Sequence, residues 1–85
     1  MSSREERRQK MRSIVANAYS LHHNDRGAFR RQVRQDGVQK LGISPMLIIT
    51  LISLAIKCYQ LWRSLQLSEA PPQPVSGEPE FDLPE

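Results

Sequence analysis

Residues 44–63 read Ser-Pro-Met-Leu-Ile-Ile-Thr-Leu-Ile-Ser-Leu-Ala-Ile-Lys-Cys-Tyr-Gln-Leu-Trp-Arg, and the medium this stretch faces decides the fold. Ser44 before Pro45 is a helix-start signal. The hydroxyl can accept an orphan backbone N–H, and proline at the first helical position gives up only an N–H that would be unpaired there. The run from Met46 to Ile56 is broken only by Thr50 and Ser53. The pattern predicts a helix from Pro45 to about Leu67, stopped before Pro71 and Pro72.

Length alone allows this helix to cross a bilayer. Leu41 to Ile56 gives 16 uncharged residues, and continuing through Lys57 to Trp62 gives 22, or about 33 Å of helix against a hydrocarbon core of about 30 Å. Energy is less generous. Leu47, Ile48, Ile49, Leu51, Ile52, Leu54, Ile56 and Leu61 together favour insertion by roughly 2–5 kcal/mol, and a central lysine costs about 2.5–3.5 kcal/mol. Lys57 lies off-centre and can snorkel, but Thr50, Ser53 and Gln60 take back part of the gain, so the balance is near zero. Tyr59, Trp62 and Arg63 stand where a membrane–water interface would place aromatic and basic side chains. Thr50, Ser53, Lys57, Gln60 and Ser64 fall on one stripe, which a lone lipid-facing anchor does not need. Ser53, Lys57 and Gln60 are therefore the candidates for association with another helix. The same stripe would be the wet side of a core helix in a soluble protein, or the outer face of a helix lying flat in the interface.

Outward from this segment, charge is divided along the chain. Residues 1–40 hold ten basic and four acidic side chains, and residues 41–85 hold two basic and five acidic ones. Such asymmetry points to an anionic partner for the N-terminal half. Nine of the twelve basic residues are arginine, whose planar fork matches phosphate. Ser2 and Ser3, three residues before Glu5 and Glu6, fit a capping box. Met11, Ile14, Val15, Ala18 and Tyr19 then repeat as one helical face, which predicts a helix over about 4–22. Asn24 or Asp25 caps a second predicted helix over about 27–36, with Phe29 and Val33 on one side and Gly37 as its end. Arg7, Arg8 and Arg12 on the first helix, with Arg30, Arg31 and Arg34 on the second, are the candidate anion-binding set. No aromatic residues are interleaved with these arginines as a stacking platform for bases would need.

The last 17 residues hold five prolines and five acids. Alone in water this tail cannot bury enough surface to offset its ordering entropy. Its end, Glu80-Phe81-Asp82-Leu83, alternates acidic and apolar residues, so Phe81 and Leu83 are candidate anchors for an extended peptide in a groove.

Other constellations lead nowhere catalytic. His22 and His23 point about 100° apart on a helix and lack an i, i+4 partner, so no metal site is expected. The single Cys58 excludes an internal disulfide and sits among apolar residues like an inert thiol. With no phosphate loop, paired carboxylates or nucleophile–base pattern, the expectation is a non-enzyme without cofactor or small-molecule substrate.

The expected fold class is all-α: two short basic amphipathic helices (1–43), one long apolar helix read as a single-pass span (44–68) and an extended, Pro-rich acidic tail (69–85). The positive-inside rule puts the N-terminus on the cytoplasmic or virion-interior side. The layout resembles small phage- or virus-encoded membrane proteins, with a basic head, one apolar helix and a short tail, although no motif carries that resemblance. The reading drawn from the residues is a small structural or assembly subunit whose expected partners are membrane lipids, nucleic acid through the basic half, and a larger assembly or homo-oligomer. The alternatives are a soluble helical module that binds nucleic acid or a larger protein, and a holin-like, pore-forming oligomer.

Overall fold

The computed structural model describes residues 3–65 and 73–83. Its regular elements are the helices α1 (Ser3–His22), α2 (Arg26–Leu41) and α3 (Pro45–Ser64). The Ser2 cap, the stop at Pro71-Pro72 and the boundary between 68 and 69 lie outside the described residues.

Local chemistry sets the ends. The Asp25 carboxylate accepts the Ala28 N–H at 3.1 Å and starts α2. Ser44 Oγ accepts the Leu47 N–H at 3.4 Å, with Pro45 at the first turn of α3. One boundary differs from the sequence reading. Gly37 does not end α2; the helix runs four residues further and closes at Gly42, whose φ of 63° and ψ of 30° are the left-handed cap that glycine adopts without strain. The Gly42 N–H donates to the Val38 carbonyl at 3.1 Å, and the Ile43 N–H to that of Gly37 at 3.2 Å.

Gly37 instead lies where side chains of α3 press on α2. A Cβ there would lie 2.7 Å from Ile48 Cδ1 and 3.0 Å from Leu51 Cδ2, so α2 and α3 approach closely at this point. Short turns at 23–25 and 42–44 fold successive helices back on one another. The core takes Met11, Val15, Ala18 and Tyr19 from α1, Phe29 and Val33 from α2, and Ile48, Leu51, Ala55, Cys58, Tyr59 and Trp62 from α3. The radius of gyration is 12.0 Å, matching the roughly 12 Å of a packed chain this long.

One expectation is corrected here. Tyr59 and Trp62, read as membrane-interface residues, lie inside the bundle, at 8 % and 0 % exposure. With Ala55 and Cys58 they make an i, i+3, i+4, i+7 face, and a face outweighs nearness to a helix end. Tyr19 meets the Trp62 ring edge-on at 5.2 Å and that of Tyr59 at 5.6 Å, and Phe29 packs on Tyr59 at 4.9 Å. Each such contact contributes about 0.5–1.5 kcal/mol beyond area burial. Phe81 and Leu83, the candidate anchors of the tail, are buried in the same core, at 3 % and 5 % exposure. Alone in water the tail lacks apolar partners; the helices supply them.

Replacing Gly37 by leucine is expected to lower stability by about 1–3 kcal/mol, the usual cost of overpacking. Urea unfolding followed by helical circular dichroism measures it.

Candidate functional site

The candidate anion-binding arginines divide into two sets. On α2, Phe29, Val33, Asp36 and Gly37 turn inward. The same helical period turns Arg30, Arg31 and Arg34 outward, and all three are exposed. Among the described residues none of the three forms an ion pair. Together with Gly27 they line a shallow groove whose remaining wall is Ile52 of α3. Arg31 and Arg34 also border a second depression with Gln35, Val38 and Gln39. Ile49, Ile52 and Ile56 share one side of α3 by spacing, and Ile49 is 68 % exposed. The cationic helix edge thus runs beside Ile52, which like Ile56 packs partly against the core, while Ile49 is exposed.

The α1 arginines are drawn into the fold. Arg12 Nε donates to Glu78 Oε1 at 2.6 Å, and its guanidinium lies 5.5 Å from the centre of the Trp62 ring. It is therefore committed inside the chain rather than free for an outside phosphate. Arg7 and Arg8 are half-buried, and their Nε atoms are buried without a partner.

Arg63, expected at a membrane interface, instead holds the end of α1. Its Nη1 donates to the His23 carbonyl and to Asn24 Oδ1, each at 3.1 Å. The Tyr59 hydroxyl donates to the same His23 carbonyl at 2.8 Å. A helix C-terminus leaves carbonyls unpaired and favours a nearby cation, and these two side chains supply both needs. Ser53, Lys57 and Gln60 are exposed and form the outer side of α3.

Sequence reasoning missed two features. Asp36 is a charged residue at only 4 % exposure. Gln32 Nε2 donates to it at 3.1 Å, and Lys40 Nζ stands 3.8 Å away. The i−4 and i+4 spacing of these partners was the available signal. Glu78 is the other, because it receives both Arg12 and the Trp62 indole N–H, the latter at 3.3 Å. Nothing local in an acidic tail marks out one carboxylate over the next.

Among the described residues no group of His, Cys, Asp or Glu could hold a metal ion. His22 Nε2 makes only a long contact of 3.4 Å with Gln32 Oε1. The His23 Nδ1 and Tyr19 hydroxyl are buried without partners. Burial pushes the Cys58 thiol up to about 12, with Glu78 adding to the rise and Arg12 opposing it. Burial also raises the Tyr19 phenol above its ordinary value of 10, while Arg63 pulls it down and Tyr59 pushes it up. Both groups keep their protons in the fold at a pH where the unfolded chain has lost them.

Above about pH 9 the unfolded state therefore binds fewer protons than the native one, and stability falls as pH rises. Urea midpoints are expected to be steady from this source near neutrality and to drop toward pH 10.5. Cys58→Ala is expected to flatten that drop, and a thiol reagent at pH 8 to label Cys58 only in denaturant.

No family model, curated protein sequence or solved structure matches this chain.

Proposed function

We propose that this chain is a non-enzymatic helical module that binds anionic phospholipid surfaces. Arg30, Arg31 and Arg34 contact headgroup phosphates, and the neighbouring Ile49 and Ile52 of α3 enter the acyl boundary. The observation that carries this reading is the groove in which those three arginines meet Ile52. Phosphate alone would call for the cations; a lipid surface calls for cations with aliphatic side chains beside them.

The aromatic residues favour lipid over single-stranded nucleic acid. Tyr19, Phe29, Tyr59, Trp62 and Phe81 are all buried, at 8 % exposure or less, so none is presented to stack on a base. A second reading, in which α3 leaves the bundle and spans, rests on its length and composition: Pro45–Ser64 is long and apolar enough to cross a membrane. Magnitudes favour the surface-bound form. Withdrawing α3 would uncover Tyr19 and Phe29, whose rings pack on Tyr59 and Trp62, at roughly 3–6 kcal/mol together. The near-zero insertion balance of a helix carrying Lys57 and Gln60 does not repay that.

Co-sedimentation tests the proposal. Vesicles of mixed phosphatidylserine and phosphatidylcholine are expected to bind the chain, and pure phosphatidylcholine much less. Binding should weaken with salt. The double change Arg30→Gln with Arg34→Gln is expected to cost about 30-fold in affinity, at about 1 kcal/mol per arginine. Release by an alkaline carbonate wash marks surface binding, and retention marks a span. Equal, salt-independent binding to neutral vesicles, or binding only to duplex DNA, would sink the lipid reading.

A further inference from the structure

The segment from Gln73 to Leu83 packs as a bound peptide would. It lies along α1, where Glu5, Arg8, Gln9 and Arg12 face Glu78, Pro79, Glu80 and Phe81. Phe81 and Leu83 enter the core that α1 and α3 share, with an exposed acid, Asp82, between them. Glu78 joins the two helices, taking Arg12 from α1 and the Trp62 indole from α3. Two spaced apolar anchors and one clamped carboxylate make a recognition pattern: anchors supply affinity, and the paired charge fixes register.

We propose that this face of α1, together with the Trp62 edge of α3, is a peptide-recognition site, occupied in cis by residues 73–83, and that the same segment of a second copy of this chain can occupy it in trans. Charge complementarity supports the occupant. The segment carries Glu78, Glu80 and Asp82 and no basic residue; Glu78 pairs with Arg12, and Arg8 stands on the same face together with Glu5. Chain length permits the exchange. The eight Cα–Cα steps from Leu65 to Gln73 reach at most about 28 Å, which is comparable with the 33 × 27 × 16 Å extents of the molecule. The cis arrangement dominates in dilute solution, because tethering gives the attached segment an effective concentration on the order of millimolar. This face is separate from the α2–α3 arginine site, so this inference stands or falls independently of lipid binding.

The test uses the full chain and a fluorescein-labelled synthetic peptide of residues 73–83. The variant Phe81→Ala with Leu83→Ala weakens the attached segment, and is expected to bind the peptide at least about 10-fold more tightly than the unaltered chain does. Adding Arg12→Gln should abolish that gain. Trp62, the single tryptophan, reports occupancy through emission that shifts red in the double variant and returns toward blue as peptide binds. If the double variant loses its helical signal, Glu78→Gln in the full chain serves instead, since both anchors remain, and peptide affinity should again rise. A helical variant that binds no peptide at millimolar concentration, or a peptide affinity indifferent to both tail variants, overturns the proposal.

Discussion

The face of α3 that carries Leu51, Ala55, Cys58, Tyr59 and Trp62 has to leave water, and everything else in the fold follows from where it goes. All five are buried, and Trp62 contacts two separate parts of the chain: α1, through Tyr19 in its ring packing and Arg12 over its face, and the C-terminal segment, through Glu78 at its indole nitrogen. That face could have been satisfied by acyl chains. It is satisfied by protein because α1 and α2 offer a matching apolar surface through two short turns, and because Gly37 lets α2 come close enough to seat Ile48 and Leu51. The aromatic rings then do twofold work. They exclude water from the core, and their polar edges carry the hydrogen bonds that tie α3 to the end of α1 and to the C-terminal segment.

Charge is sorted by the same packing. Side chains near the core are drawn into partnerships within the chain: Arg12 with Glu78, Arg63 with the last carbonyl of the α1 turn, and Asp36 with Gln32 and Lys40. Arg30, Arg31 and Arg34 escape because Phe29 and Val33 turn inward and fix the opposite side of α2 outward. A basic helix edge is thereby left beside Ile52 of α3, and the proposed lipid binding rests on that juxtaposition. The remaining length of α3, with Ser53, Lys57 and Gln60 on its outer side, keeps the helix wet where no other element covers it.

Helix identity was legible in the residues. The Met11–Tyr19 spacing, the Asp25 and Ser44 caps and the apolar run after Pro45 each state a helix locally, and each is a helix. Gly37 misled, because glycine at a helix end and glycine at a helix crossing look alike until the neighbouring helix is known. Tyr59 and Trp62 misled for a related reason: an interfacial belt and a packed helical face both place aromatics near an apolar terminus. The arginines of α2 were legible as an outward face, since their period opposes that of Phe29 and Val33. Those of α1 were not, because the partner of Arg12 is 66 residues away.

By itself the sequence determined three helices' worth of local order, their caps, the asymmetry of charge and the absence of a disulfide. These are properties of neighbours within a turn or two, where backbone sterics and side-chain period act directly. Only the tertiary structure decided which residues of α3 pack on α1 and α2, which described arginines stay outside ion pairs, and that Phe81 and Leu83 join the core. Those outcomes depend on surfaces brought together from distant parts of the chain, and the free energy of burial is indifferent to whether the covering atoms come from lipid, another protein or the same polypeptide.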